Sequence, residues 1–132
     1  MLRTIYDVYD YCKKNGIGMI DFKMVDINGQ WRHITIPYER LNEDTMKYGI
    51  GFDGSNYGYA PVEKSDMVFI PEITSAHMDP FVSIPTLTMT GDVYVIGEKE
   101  NIPFDQYPRN VAKRAEEFMR EEGIADEMVI GP

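Results

Sequence analysis

Residues 17–37, IGMIDFKMVDINGQWRHITIP, decide the fold. Ile20, Phe22 and Met24 alternate with Asp21 and Lys23, the period of two expected of a half-buried strand. Asn28-Gly29 follows. An Asn-Gly pair is the strongest short-range hairpin signal, because both central positions of a type I′ turn need a positive φ. The return strand runs from Trp31 to Ile36, with Ile34 and Ile36 in phase and His33 on the opposite face. A lone strand histidine with no second ligand beside it reads as structural or exposed, since metal sites need clustered ligands.

Working outward, TIYDVYDYCKKN (4–15) reads as a helix. Ile5, Val8, Tyr9 and Cys12 make one apolar stripe at i, i+3, i+4 and i+7. Thr4 and Asp7 have the spacing of a capping box, and Gly16 is the expected stop. Cys12 on that stripe reads as a core residue.

After the hairpin, Pro37 ends the strand and opens a short helical stretch, YERLNEDTMKY, closed by Gly49. The segment from Gly51 to Pro61 reads as a glycine-rich loop. DMVFI (66–70) is a short strand, ITSAHMDPF irregular chain, and PTLTMTGDVYVIG (85–97) a second strand region in which Gly91 marks a bulge or bend. The polar stretch EKENIPFDQY (98–107) is the best boundary in the chain. It divides an N-terminal domain (1–104) from a second element (105–132). Pro108 opens a helix, PRNVAKRAEEFMREEG, with Val111, Ala115, Phe118 and Met119 as its stripe and Glu116 or Glu117 pairing with Arg120. The closing EMVIGP reads as the first half of another strand, which creates the expectation that the chain is a fragment stopping where another domain begins. The sum is an α+β fold, a small mixed sheet with one helix packed on its face.

The 132 residues are 43% hydrophobic and 27% charged, enough for one ordinary domain with a real core. A net charge of −9 disfavours binding to phosphate backbones, so no nucleic acid is expected as a partner. One cysteine excludes an internal disulfide framework. No run approaches the ~18 apolar residues of a membrane span, and the N-terminus does not read as a signal peptide, so the expected location is cytoplasmic, away from membranes.

The chemistry rests on GFDGSNYGY (51–59). A phosphate-loop reading fails because no Lys-Ser/Thr follows Gly54 and Asp53 would repel a phosphate. No dinucleotide fingerprint, zinc-ligand or serine-nucleophile pattern is present either. Two readings of Asp53 remain. In one, Asp-Gly-Ser-Asn is a turn whose aspartate accepts from backbone N–H groups two residues on. In the other, glycines hold a carboxylate at a loop tip, where it binds a cation or takes a proton.

GIGFDGSNYGY, EKSDMVFIPE, HMDPF, TLTMTGDVY and YPRNVAKRAEEFMREEGIADEMVIGP, in that order, resemble the N-terminal part of bacterial and archaeal-type glutamine synthetases across nearly the whole chain. The resemblance implies a β-grasp domain over 1–104, then the first helix and a truncated first strand of the catalytic domain. It implies an ATP-dependent ligation of ammonia to glutamate, with ATP and Mg2+ or Mn2+ bound by the full-length enzyme and neither held by these residues, so that this part alone would be inactive. It also implies a homo-oligomer, a dodecamer of two hexameric rings, with the isolated piece a monomer or small oligomer that exposes an apolar patch. Asp53 takes the position of the aspartate that binds ammonium and accepts its proton in the active site of a neighbouring subunit. Many relatives have a second serine where Asn56 stands, and Asn56 is carried over as an ammonium-binding residue. Asp66, in the SDM motif, either supports that pocket or only begins a strand. Ser55 and Tyr57 are read as shaping the loop, and Tyr57 and Tyr59 as packing against the next subunit. Two alternatives stand beside this: a related ligase using another amine, such as a polyamine or ethanolamine, and a stand-alone β-grasp binding module.

Overall fold

Thr4 and Asp7 cap helix α1 (Ile5–Asn15) reciprocally. The Thr4 hydroxyl accepts from Asp7 N–H at 3.1 Å and the Asp7 carboxylate accepts from Thr4 N–H at 2.9 Å. Gly16 ends the helix in the left-handed region, at φ 62°. Ile5, Val8 and Cys12 are buried, so the stripe read from the sequence is the face that packs. The computed structural model describes residues 2–129 and 131.

Strands β1 (Met19–Val25) and β2 (Trp31–Pro37) form the expected antiparallel hairpin, with Phe22 opposite Ile34 and Lys23 opposite His33. The turn differs from the expectation. Among the described residues only glycines have positive φ, so Asn28 is not in a type I′ turn. Gly29 N–H closes a turn onto Asp26 O at 3.0 Å, and Asp26 N–H then meets Gln30 O at 2.9 Å across Gly29, whose φ is 82°. This is a three-residue loop with a one-residue bulge, which needs a single left-handed residue. The physical reason is Asp26. Its buried carboxylate accepts from the N–H groups of Asn28 and Gln30, both at 2.9 Å, and from Arg32 Nε at 2.9 Å. β1 is also more deeply covered than a half-buried strand, because Asp21 is buried as well as Ile20, Phe22 and Met24.

The helical stretch after Pro37 is divided. A 3-10 turn over Tyr38–Arg40 precedes helix α2 (Glu43–Tyr48), which Asn42 caps by accepting from Thr45 N–H at 2.8 Å. Strand β3 (Ile50–Asp53) follows, so the first half of the glycine-rich stretch is extended and paired rather than loop. β3 lies antiparallel to β4 (Asp66–Pro71), and two-residue β5 (His77–Met78) interrupts the segment expected to be irregular.

Strand β6 (Thr86–Val95) is the axis of the fold. Thr86–Thr90 pair parallel to β1, and Gly91–Val95 pair antiparallel to β4. The order is β2-β1-β6-β4-β3, with β5 and β7 (Ile102–Pro103) also on β6. The strand runs through Gly91 without a break, and Gly91 is where pairing changes hands. A Cβ there would lie 2.2 Å from Ile70 O and 2.7 Å from Phe69, so only glycine lets β4 approach. The mixed sheet, with α1 on the core, matches the α+β expectation. Its core gathers Ile20, Phe22, Met24, Met67, Phe69, Leu87, Met89 and Val93 with the α1 stripe.

The polar segment 98–107 is tied down. β7 pairs with β6, and Phe104 and Tyr107 are buried in the core. Helix α3 (Pro108–Glu121) attaches through buried Asn110, whose side-chain amide donates to Phe104 O at 2.8 Å and Val93 O at 3.2 Å. Arg109 and Lys113 pair with Asp92 on β6, and Arg120 with Glu116. The α3 stripe is exposed at Val111 and Phe118. Glu127–Val129 are not in a strand; Ile130 and Pro132, where the expected strand continues, lie outside the described residues.

Candidate functional site

β3 ends at Asp53 and β4 begins at Asp66, and the register sets the two opposite each other. Both side chains are exposed. Like charges directly opposite on an antiparallel pair repel, so the register concentrates negative potential at this end of the two strands. Between the strands the chain makes a 3-10 turn over Gly54–Tyr57, ended by Gly58 at φ 74°, whose N–H bonds to the Gly54 and Ser55 carbonyls.

The glycines of this stretch do different things. Gly54 is buried, its N–H donates to Ser65 O at 2.7 Å, and a Cβ would lie 2.5 Å from Met67 Sδ. It lets the loop sit directly on Met67. Gly58 supplies the left-handed stop. A Cβ on Gly51 would meet nothing within 4 Å, so β3 does not need glycine there.

Asp53 Oδ1 accepts from Ser55 N–H at 2.9 Å and from Ser55 Oγ–H at 2.6 Å. These bonds are the turn reading in full. They also stabilise the carboxylate, and with it Asp53 is held below the usual aspartate range, chiefly by the Ser55 hydroxyl, then by Ser65 nearby and the Ser55 N–H. The Ser65 hydroxyl itself donates to Val62 O at 2.9 Å. With both Ser55 donors on Oδ1, the group is oriented and charged. Turn and anion are thus one arrangement, and the two readings of Asp53 do not compete. Ser55, read from the sequence only as a loop-shaping residue, is the group that fixes Asp53. The Asp-x-Ser spacing, the ordinary signature of such a turn, was the signal for it.

Asn56 lies exposed inside the 3-10 turn, on the same loop as Asp53. Asp66 begins β4, as one reading had it, and the register sets it opposite Asp53. Tyr59 departs from its expectation of meeting another subunit. It is buried in this chain's own core, packed against Phe52, Tyr57, Phe104 and Tyr107, and its hydroxyl donates to Val25 O. Burial raises its pKa above the usual tyrosine range. The reason is the Gly58 turn, which folds Tyr59 back under the loop while Tyr57 stays half-buried.

No three His, Cys, Asp or Glu residues converge among the described residues. Asp53 and Asp66 are a pair and do not make a divalent-metal centre of their own.

The chain matches the model of the glutamine synthetase β-grasp domain over residues 16–96. It belongs to the glutamine synthetase family. Glutamine synthetase from Aquifex aeolicus is 36% identical over 132 residues, spanning 98% of this chain and 27% of that protein. A 3-hydroxylaminophenol mutase from Cupriavidus pinatubonensis is 34% identical over 133 residues, spanning all of this chain and 28% of the mutase. The chain therefore spans little more than a quarter of the length of the curated relatives it matches. Among solved structures, Plasmodium falciparum glutamine synthetase superposes with a TM-score of 0.75 at 18% identity over 92% of this chain and 23% of its own. An ADP complex of GmaS gives 0.75 at 20% identity, over 92% of this chain and 26% of its own. These likenesses place the mixed sheet in the β-grasp fold of glutamine synthetases. The mutase shares that N-terminal fold under a different name, so the β-grasp region by itself does not fix the reaction.

Proposed function

We propose that this chain is the N-terminal part of an ATP-dependent ligase that joins ammonia to glutamate, and that the β3–β4 loop supplies its ammonium site. The observation that carries the reading is the Asp53 carboxylate, fixed by Ser55 and facing Asp66 at an exposed strand edge. A carboxylate held below its usual range stays charged at neutral pH, so Asp53 attracts ammonium by charge and accepts its hydrogen bonds. The same lowering makes Asp53 a weak base toward free ammonium. Proton transfer to it is then favourable only as nitrogen attacks an activated carboxylate and its N–H acidity rises. Asn56, through its side-chain oxygen, is a second acceptor for the cation, and Asp66 adds negative potential. A γ-carboxyl group activated by phosphorylation is the electrophile this chemistry needs. ATP and a divalent metal belong to the longer protein, which would assemble as a homo-oligomer with this loop closing a neighbouring subunit's site.

The test is steady-state kinetics of the full-length protein carrying Asp53→Asn. Removing a charge-assisted partner worth about 1.5–3 kcal/mol raises KM for ammonium by roughly 10- to 150-fold, with KM for ATP and glutamate within about twofold. An unchanged ammonium dependence would remove Asp53 from the site. Asn56 and Tyr57 beside Asp53 favour one second reading, a larger amine as acceptor. A higher kcat/KM for a polyamine or ethanolamine than for ammonium would establish it in place of the first.

A further inference from the structure

On the far side of the sheet from α1, the β1–β2 hairpin and residues 79–82 border an open hollow of about 290 Å³, whose lining includes Asp21, Lys23, Trp31, His33, Asp79 and Phe81. We propose that it binds a small organic cation, an alkylammonium group whose charge meets Asp21 and whose body lies against Trp31 and Phe81.

The argument begins with how the charges are paired. Lys23 donates to Asp79 at 2.6 Å, and Asp79 also holds Phe81 N–H at 2.9 Å. Arg32 is bound to Asp26. Both cations of the hollow are therefore matched to carboxylates other than Asp21. Asp21 is 7% exposed and has an imidazole and a hydroxyl as partners: His33 Nδ1 at 2.7 Å and Thr35 Oγ at 2.6 Å, both on Oδ1. It is a buried carboxylate with no lysine or arginine on it among the described residues. Such a group gains when a cation arrives, because burial has already removed the water that would have screened it. Asp21 also lines a second hollow of about 290 Å³ with His33, Val82 and Ile84, so the carboxylate stands between two openings.

The walls are suited to the apolar part of the ligand. Trp31 is 64% exposed and Phe81 93% exposed, and both border the hollow. Aromatic faces beside a carboxylate are the usual arrangement for holding an ammonium group, the rings adding about 0.5–2 kcal/mol. An anion is disfavoured by Asp21 and by the chain's charge of −9. The volume is at the lower end of small-molecule pockets, which restricts the occupant to a short amine. The site is separate in position and residues from the β3–β4 loop.

Trp31 is the only tryptophan of the chain, so its fluorescence reports on the hollow directly. The experiment titrates the 132-residue chain with n-butylammonium, and with n-butanol and butyrate as isosteric controls. The expected result is a saturable change in Trp31 emission with the amine, at least about tenfold weaker with the alcohol and absent with the carboxylate. Asp21→Asn lowers amine affinity about tenfold or more. Phe81→Ala, at a side chain too exposed to support the fold, lowers it severalfold while leaving the melting temperature unchanged, so the outcome does not depend on whether Asp21→Asn folds. Equal response to amine and alcohol, or no saturable response to the amine, overturns the proposal.

Discussion

Replacing Gly91 by alanine tests whether the meeting of the two half-sheets is as tight as the geometry implies. The new Cβ would stand 2.2 Å from Ile70 O, 2.7 Å from Phe69 Cζ and 2.8 Å from Pro71 Cα. Contacts under 3 Å are not tolerated, and two of the three neighbours are backbone, which cannot rotate away. Overpacking a core typically costs about 1–3 kcal/mol, and an immovable backbone neighbour puts this case near the top, about 3 kcal/mol. A domain of this size loses roughly 4 °C of Tm per kcal/mol, which gives a fall of about 12 °C. β4 must retreat from β6 at the Pro71–Gly91 pair, so the hydrogen bonds there also weaken. Gly51→Ala is the control. It lies in β3 with no positive φ and nothing within 4 Å of the added methyl, so it should be neutral or stabilising by up to about 1 kcal/mol. Thermal unfolding followed by circular dichroism reads both. If Gly91→Ala melts within about 2 °C of the parent, or if Gly51→Ala loses as much as Gly91→Ala, the close-approach argument is wrong.

Two further outcomes follow from the same structure. Asp26, Asp79 and Asp7 are all held below the usual aspartate range, Asp26 first by Gln30 N–H, Asp79 first by Lys23 and Asp7 first by Arg3 N–H. A depressed folded pKa contributes stability that is complete above the unfolded value of about 4 and disappears as pH falls through the folded value, so Tm should be flat from pH 7 to about 5 and drop steeply below 4, and Asp79→Asn should make that drop shallower. Asn110→Ala removes the buried amide that ties α3 to Val93 O and Phe104 O, which should cost about 1–3 kcal/mol in urea unfolding and speed hydrogen exchange in α3 before the sheet.

The candidate site was partly legible because its local chemistry is local in sequence. Asp53 and Ser55 are two residues apart, so the turn that fixes the carboxylate could be read without knowing the fold. Asp66 could not be assigned in the same way, since its position opposite Asp53 depends on strand register across twelve intervening residues. Tyr59 was misplaced for a related reason. A tyrosine beyond a glycine turn has no sequence mark to say whether it faces out or back, and packing against Phe104 and Tyr107 decided it. The Asn28-Gly29 turn took another form because Asp26, a residue outside the pair, bonds Asn28 and Gln30 N–H and fixes the backbone between them.

What the sequence determined by itself is what short-range forces control: the capped helix at Thr4 and Asp7, the β1–β2 hairpin, the Asp53–Ser55 turn and, through the order of its motifs, the family. What the tertiary structure decided is what joins distant residues. β6 serves β1 with one half and β4 with the other, Gly91 permits the approach, and Asp21 is enclosed beside His33 and Trp31. Periodicity marks which face of a strand is apolar, but not which strand lies beside it. That choice follows from the pairing that buries the most surface while satisfying every backbone group.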